Sequence, residues 1–204
     1  MVTEREDKAK MRQLAQGQRQ MHSAGELETF SGAIRLRVLE LIEEVQAQRV
    51  ALFWPMVSRG EVDLRALAAQ LKAKGKDVYY PYMKDLRQRS FEEDGFVLID
   101  DEKELAMTSY GFRQPAQGKT VAAENELDLI VIPALAVTRQ GHRLGYGAGY
   151  YDRQLSKYQK ALRVIVAYSF QIVEQLPVEP HDCAAHHVIT NSAFWAVGPS
   201  ASIV

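Results

Sequence analysis

The apolar residues of this chain follow two rhythms, and each predicts a different element. Val50 to Trp54, Asp77 to Tyr80, Leu129 to Ile132 and Val164 to Ala167 are short, nearly unbroken apolar runs, and Pro55, Pro81 and Pro133 close the first three. Runs of that length with such terminators predict buried strands, because a strand covered on both faces needs apolar residues at successive positions. Ile34, Val38, Leu41, Ile42 and Val45 recur instead at helical spacing, as do Leu64, Leu67, Ala68 and Leu71. Ser31 is placed to cap the first of these helices, and Gly75 to end the second in a left-handed conformation. The opening stretch, Glu4 to Gln20, is rich in Lys, Arg, Gln, Ala and Met, with one glycine and no proline. It predicts a polar helix whose weak apolar stripe must borrow a partner surface.

Between Tyr82 and Thr120 the pattern is irregular, with a strand expected at Phe96 to Ile99 and loops or an edge hairpin around it. A helical stretch separates Leu129 to Ile132 from Val164 to Ala167, and a last strand is expected at His187 to Thr190. Alternating helices and strands predict one α/β domain with a parallel sheet covered by helices.

Composition removes several function classes. Twenty-six acidic against 25 basic residues leave a net charge of -1, so there is no bulk field for nucleic acid or an anionic membrane. The single Cys183 excludes an intrachain disulfide and a multi-thiolate zinc site. No apolar leader opens the chain, and Leu127 to Val137, interrupted by Asp128 and Pro133, falls well short of the roughly 20 residues of a spanning helix. The expectation is a cytoplasmic protein that binds any anion locally.

The stretch with the richest chemistry is Arg143 to Arg153, RLGYGAGYYDR, with Gly145, Gly147 and Gly149 at alternate positions after a strand and before a helix-compatible run. Glycines there remove Cβ atoms, permit positive φ and let successive amides converge on phosphate oxygens near a helix N-terminus. Arg143 would add a cation. Asp152 would repel phosphate unless a divalent cation lay between, which points to magnesium. The pattern is neither a P-loop nor a dinucleotide fingerprint, and the spacing alone fits equally a glycine-rich turn before an amphipathic helix in which Tyr150 and Tyr151 pack.

The stretch DLIVIPALAVTRQGHRLGYGAGYYDRQL, from Asp128 to Leu155, resembles the signature of the 5-formyltetrahydrofolate cyclo-ligase family, also called methenyltetrahydrofolate synthetases. LPVEPHDCAAHHVITN, from Leu176 to Asn191, is similar to that family's closing segment, and Lys8, Met11 and Arg12 to its opening one. The resemblance implies a single Rossmann-like three-layer domain, with a mostly parallel sheet flanked by helices. It also implies ATP- and magnesium-dependent conversion of 5-formyltetrahydrofolate to 5,10-methenyltetrahydrofolate, releasing ADP and phosphate.

It further implies roles for individual residues. Lys8, Arg12, Arg143, Leu144, Gly145, Tyr146, Gly147, Ala148, Gly149, Tyr150 and Tyr151 correspond to the ATP site, within which Arg143, Tyr151 and Asp152 are the expected catalytic groups. Tyr146 to Tyr150 form the wall where folate and phosphate meet, joined on the folate side by Met56, Glu61 and Tyr110. Asp152 and Asp182 correspond to magnesium ligands. Each has a plainer alternative: a surface ion pair of Glu4 with Lys8, a helix-opening acid exposed to solvent at Glu61, a half-buried tyrosine at 110, a cap at Asp182. His186 and His187, adjacent and so on opposite sides of a strand, are expected to be structural. The implied partners are small molecules, with no nucleic acid and no membrane, for a chain acting as a monomer. A folate- or nucleotide-binding regulator and a kinase acting on another acceptor remain as competing readings.

Overall fold

The computed structural model describes residues 4–84, 93–109, 111–179 and 182–198, with backbone only for 4–6. Four α-helices, α1 (Glu4–Gln20), α2 (Ala24–Glu44), α3 (Arg65–Ala73) and α4 (Tyr150–Lys157), accompany eleven strands among these residues. The strands are β1 (Arg49–Ala51), β2 (Asp77–Tyr82), β3 (Gly95–Leu98), β4 (Leu105–Met107), β5 (Arg113–Pro115), β6 (Leu129–Pro133), β7 (Ala136–Val137), β8 (Arg143–Leu144), β9 (Leu162–Val166), β10 (His187–Ile189) and β11 (Phe194–Ala196).

Seven of them form one sheet in the order β11, β10, β9, β6, β1, β2, β3. The five central strands are parallel, and β11 and β3 close the two edges antiparallel. Consecutive residues of the parallel strands supply two separate cores. Val50, Leu129, Val131, Val164 and Val166 face α2 and α3, while Ala51, Ile130, Ile132 and Ile165 face α4 through Tyr150, Leu155 and Tyr158. Apolar runs without alternation arise because both faces are buried. The three-layer α/β expectation is borne out.

Several local expectations change. Ser23, not Ser31, caps α2: its hydroxyl accepts the Glu26 N–H at 3.3 Å while the Glu26 carboxylate accepts the Ser23 N–H at 2.9 Å. Ser31 lies buried within α2, bonds the Tyr168 hydroxyl and accepts the Asp63 N–H, both at 3.1 Å, so its polarity serves the interior. Strand β1 stops at Ala51, well before Trp54. Strand β2 runs through Pro81, which is registered with Phe96 of β3, while pairing with β1 ends at Tyr79, so the proline does not end the strand. Strands β4 and β5 pair as a small separate ladder within the irregular region, and β11 was not predicted. His186 accepts the Arg163 N–H at 3.0 Å, and His187 stacks on Phe194, as expected of structural histidines.

Candidate functional site

From β6 the chain leaves the sheet through a short β7–β8 ladder, in which Val137 pairs with Arg143 and Ala136 with Leu144. This register fixes Arg143, whose side chain is only 6% exposed, immediately before the glycine loop. The loop ends at Gly149 in the left-handed region, and α4 starts at Tyr150. Gly147 is constrained twice. Its φ is +97°, which L side chains rarely adopt, and a Cβ there would lie 3.1 Å from the Arg12 guanidinium.

That guanidinium comes from α1, more than a hundred residues earlier in the chain. Lys8, Arg12, Ala15 and Arg19 follow a 4-3-4 spacing and so share one helix face. Ala15 and Arg19 are buried, so this is the face that packs against the rest of the molecule. Arg12 donates from Nε to the Gly145 carbonyl at 2.9 Å. Lys8 donates to Glu179 at 2.6 Å and lies 3.8 Å from Asp182. The helix thus supplies cations along one flank of the loop.

Carboxylates balance them. Asp152, in the first turn of α4, meets Arg143 at 2.6 Å. Arg143 also donates to the Cys183 carbonyl at 3.3 Å and sits 5.9 Å from the Tyr151 ring centre. These contacts tie the loop to the 182–183 segment. Asp182 accepts the Glu179 N–H at 2.8 Å, so it does stabilise a turn as well as face Lys8. No group of three or more His, Cys, Asp or Glu residues is poised to hold a metal among the described residues. The donor set is two separate aspartates, each beside a cation. It fits a magnesium ion that takes its remaining ligands from water and phosphate, not an all-protein cage.

On the other side of the loop lies Glu61, only 5% exposed, which overturns its solvent-facing alternative. Its Oε2 accepts the Met56 N–H at 2.7 Å, closing the turn of residues 57–59. The Tyr146 hydroxyl, pushed well above the usual phenol range by burial and by the nearby Glu61 carboxylate, accepts from Arg19 at 3.1 Å. Tyr151 is likewise held protonated by burial and by Glu61. Its buried hydroxyl has no partner among the described residues, an open hydrogen-bonding group beside Arg143. A cavity of about 430 Å³ opens beside Glu61, and its buried lining residues are Arg19, Ser31, Glu61 and Tyr168.

A sequence profile of the 5-formyltetrahydrofolate cyclo-ligase family matches residues 4–191. The chain belongs to that family. A 5-formyltetrahydrofolate cyclo-ligase of Escherichia coli is 34% identical over 154 residues, covering 74% of this chain and 82% of its own. The protein of that name from Haemophilus influenzae is 31% identical over 153 residues, with 74% and 79% covered. The solution structure of Aquifex aeolicus 5,10-methenyltetrahydrofolate synthetase superposes with a TM-score of 0.79 at 28% identity, over 97% of this chain and 96% of that one. Membership of the cyclo-ligase family makes the chain an enzyme.

Within this cyclo-ligase fold, Lys8, Arg12, Arg143, the glycine loop, Asp152 and Asp182 are brought together, with Met56 and Glu61 reaching the loop through Tyr146. Tyr150 has its hydroxyl committed to the Gly95 carbonyl, so its side chain serves the core. Tyr110 lies outside the described residues, as does the Glu4 side chain. Two residues were missed by sequence reasoning. Glu179, the partner of Lys8, gives no periodic signal. Arg19 does, since it continues the 4-3-4 stripe of α1, yet an arginine in a polar helix invites a surface reading. It is 2% exposed.

Proposed function

We propose that this cyclo-ligase converts 5-formyltetrahydrofolate to 5,10-methenyltetrahydrofolate with consumption of ATP, in the presence of magnesium, releasing ADP and phosphate. A formamide oxygen is a poor leaving group, and transfer of the γ-phosphoryl group to it lets phosphate depart when the second nitrogen closes the ring. Positioning and charge neutralisation dominate such a transfer. The chain's own residues are assigned accordingly. The glycine loop presents its amides to the phosphates, Lys8 and Arg12 neutralise them from α1, and Arg143 stabilises charge on the group in flight. Tyr151 supplies a protonated hydroxyl next to Arg143. Asp152 and Asp182 would hold magnesium, which would supply charge neutralisation at the phosphates. Glu61, with Met56, Tyr146 and Tyr110, takes the folate ring system.

The observation that carries this reading is the convergence of cations and carboxylates from both ends of the chain on the glycine loop, with the Lys8–Glu179 and Arg143–Asp152 pairs at 2.6 Å. Each pair leaves the cation beside the loop and the acid partly exposed, Glu179 at 41% and Asp152 at 21%. That geometry supports exchange of a carboxylate partner for phosphate at Lys8 and Arg143. The same proposal has the chain acting as a single domain and a monomer in the cytoplasm.

The test is absorbance-monitored formation of the methenyl product from 5-formyltetrahydrofolate with ATP and magnesium. Turnover is expected in the wild type, and a fall of at least about 100-fold in Arg143→Ala and in Asp152→Asn. A wild-type protein that binds both ligands without turnover would move the reading to a regulator. ATP consumption that ignores the folate would move it to another kinase.

A further inference from the structure

Arg19 has no place in the phosphate chemistry, yet it is among the most buried charged residues of the molecule. Its guanidinium reaches a carbonyl and a phenol, not a carboxylate: Nη2 donates to Ala134 O at 2.7 Å and Nη1 to the Tyr146 hydroxyl at 3.1 Å. Its Nε has no partner among the described residues. A buried arginine with an idle N–H is a poor stabilising element, and an apolar residue of similar length would suit the interior better. The Ala134 carbonyl does not depend on it either. Gln171 donates to that same oxygen at 3.0 Å and to Leu135 O at 2.7 Å. The group that Arg19 alone serves is Tyr146.

Hydrogen-bond polarity gives this a consequence. Arginine only donates, and a phenol hydroxyl carries a single proton. Because Tyr146 accepts from Arg19, its own proton is left for the nearby Glu61 carboxylate, whose charge acts on that hydroxyl. Glu61 already accepts the Met56 N–H. The Met56 N–H then fixes the carboxylate and the phenol proton faces it from nearby, while its remaining lone pairs stay open. Among the described residues Arg19 makes no direct ion pair with the acid and fixes the phenol instead. A carboxylate held in that state binds an edge that offers donors, such as an amino group beside a ring N–H, and rejects one that offers acceptors.

We infer that Arg19 is a positioning and specificity-determining residue, which acts through Tyr146 to keep Glu61 an oriented, acceptor-only carboxylate for the donor edge of the substrate's heteroaromatic ring. The inference rests on the proposed placement of the folate ring at Glu61.

The experiment is equilibrium binding of 5-formyltetrahydrofolate and, separately, of ATP with magnesium, to the full chain and to Arg19→Lys, Arg19→Gln, Tyr146→Phe, the Arg19→Gln/Tyr146→Phe double variant and Glu61→Gln. Loss of one hydrogen bond to a charged group corresponds to about a tenfold change in affinity. Arg19→Gln and Tyr146→Phe should each weaken 5-formyltetrahydrofolate about tenfold, Arg19→Lys less, and the double variant no more than the worse single one, because the two act in series. In Arg19→Gln, ATP affinity should change less than about twofold. Multiplying losses in the double variant, equal losses for both ligands, or unchanged folate affinity in Arg19→Gln would each overturn the inference. If Arg19→Gln does not fold, Arg19→Lys with and without Tyr146→Phe supplies the same cycle. Glu61→Gln separates the two levels: unchanged folate binding there removes the placement of the folate ring itself, whereas loss there without loss in Arg19→Gln removes only the role of Arg19.

Discussion

The two ends of α1 solve the same problem, a cation against the rest of the molecule, in opposite ways. At its start, Lys8 pairs with Glu179 and Asp182, whose side chains are 41% and 24% exposed, within a segment without regular secondary structure. At its end, Arg19 is 2% exposed and bonded to a backbone carbonyl and a phenol. The first arrangement is ionic, screened and exchangeable, so a ligand anion can take over the lysine at small cost. The second is dry and fixed, and holds a binding geometry before any ligand arrives. Under the proposed function, one helix face thus joins a displaceable phosphate flank to a preorganised folate flank.

The largest effect is expected at the residue between the two flanks. Gly147→Ala introduces a Cβ at a φ of +97° and against the Arg12 guanidinium. Backbone strain at such a position costs about 1–3 kcal/mol and moves the loop, so turnover is expected to fall by about 100-fold, with the circular-dichroism spectrum of the fold retained. Next in size are Lys8→Ala and Arg12→Ala, each expected to weaken ATP about tenfold while leaving 5-formyltetrahydrofolate affinity nearly unchanged. Their deficits should shrink as salt rises from low to physiological ionic strength, whereas that of Arg19→Gln for the folate should not. Equal salt sensitivity at both ends would remove the distinction. Thermal unfolding sharpens it further. Arg19→Gln should cost about 1–3 kcal/mol through strained or unmade hydrogen bonds, a drop in Tm of several degrees, and Lys8→Ala at most about 1 kcal/mol.

The smallest effect expected is a pH dependence away from the site. Burial, then Arg163 and His187, holds His186 below its ordinary value, and His186 accepts the Arg163 N–H in its neutral form. A basic group with a depressed native pKa favours the fold above its unfolded value of about 6.5 and loses that contribution as pH falls through the native one. Thermal unfolding between pH 7.5 and 5 should therefore slope downward, and His186→Gln should flatten the slope slightly.

Legibility followed the physics of each signal. Strands β6 and β9 were read closely because burial on both faces leaves continuous apolar runs, which no surface constraint interrupts. Strand β11 was invisible: Phe194 and Ala196 are exposed, and an edge strand of three residues carries neither a run nor an alternation. The start of α2 was misplaced because two serines could cap it, and choosing Ser23 requires the reciprocal bond from Glu26 to be weighed against the internal partner of Ser31. At the site, the glycine loop declared itself through composition. Arg19 did not, since its role depends on a phenol at residue 146 and a carboxylate at residue 61 that no local spacing connects to α1.

The Lys8–Glu179 contact closes a ring of 171 residues, while the bond from Gln48 to Asp128 that joins β1 to β6 spans 80. During synthesis the pairing of β1 with β6 can therefore form well before the acids that face Lys8 are made. Four of the five parallel strands precede those acids in the chain, and only β10 and β11 of the sheet follow them.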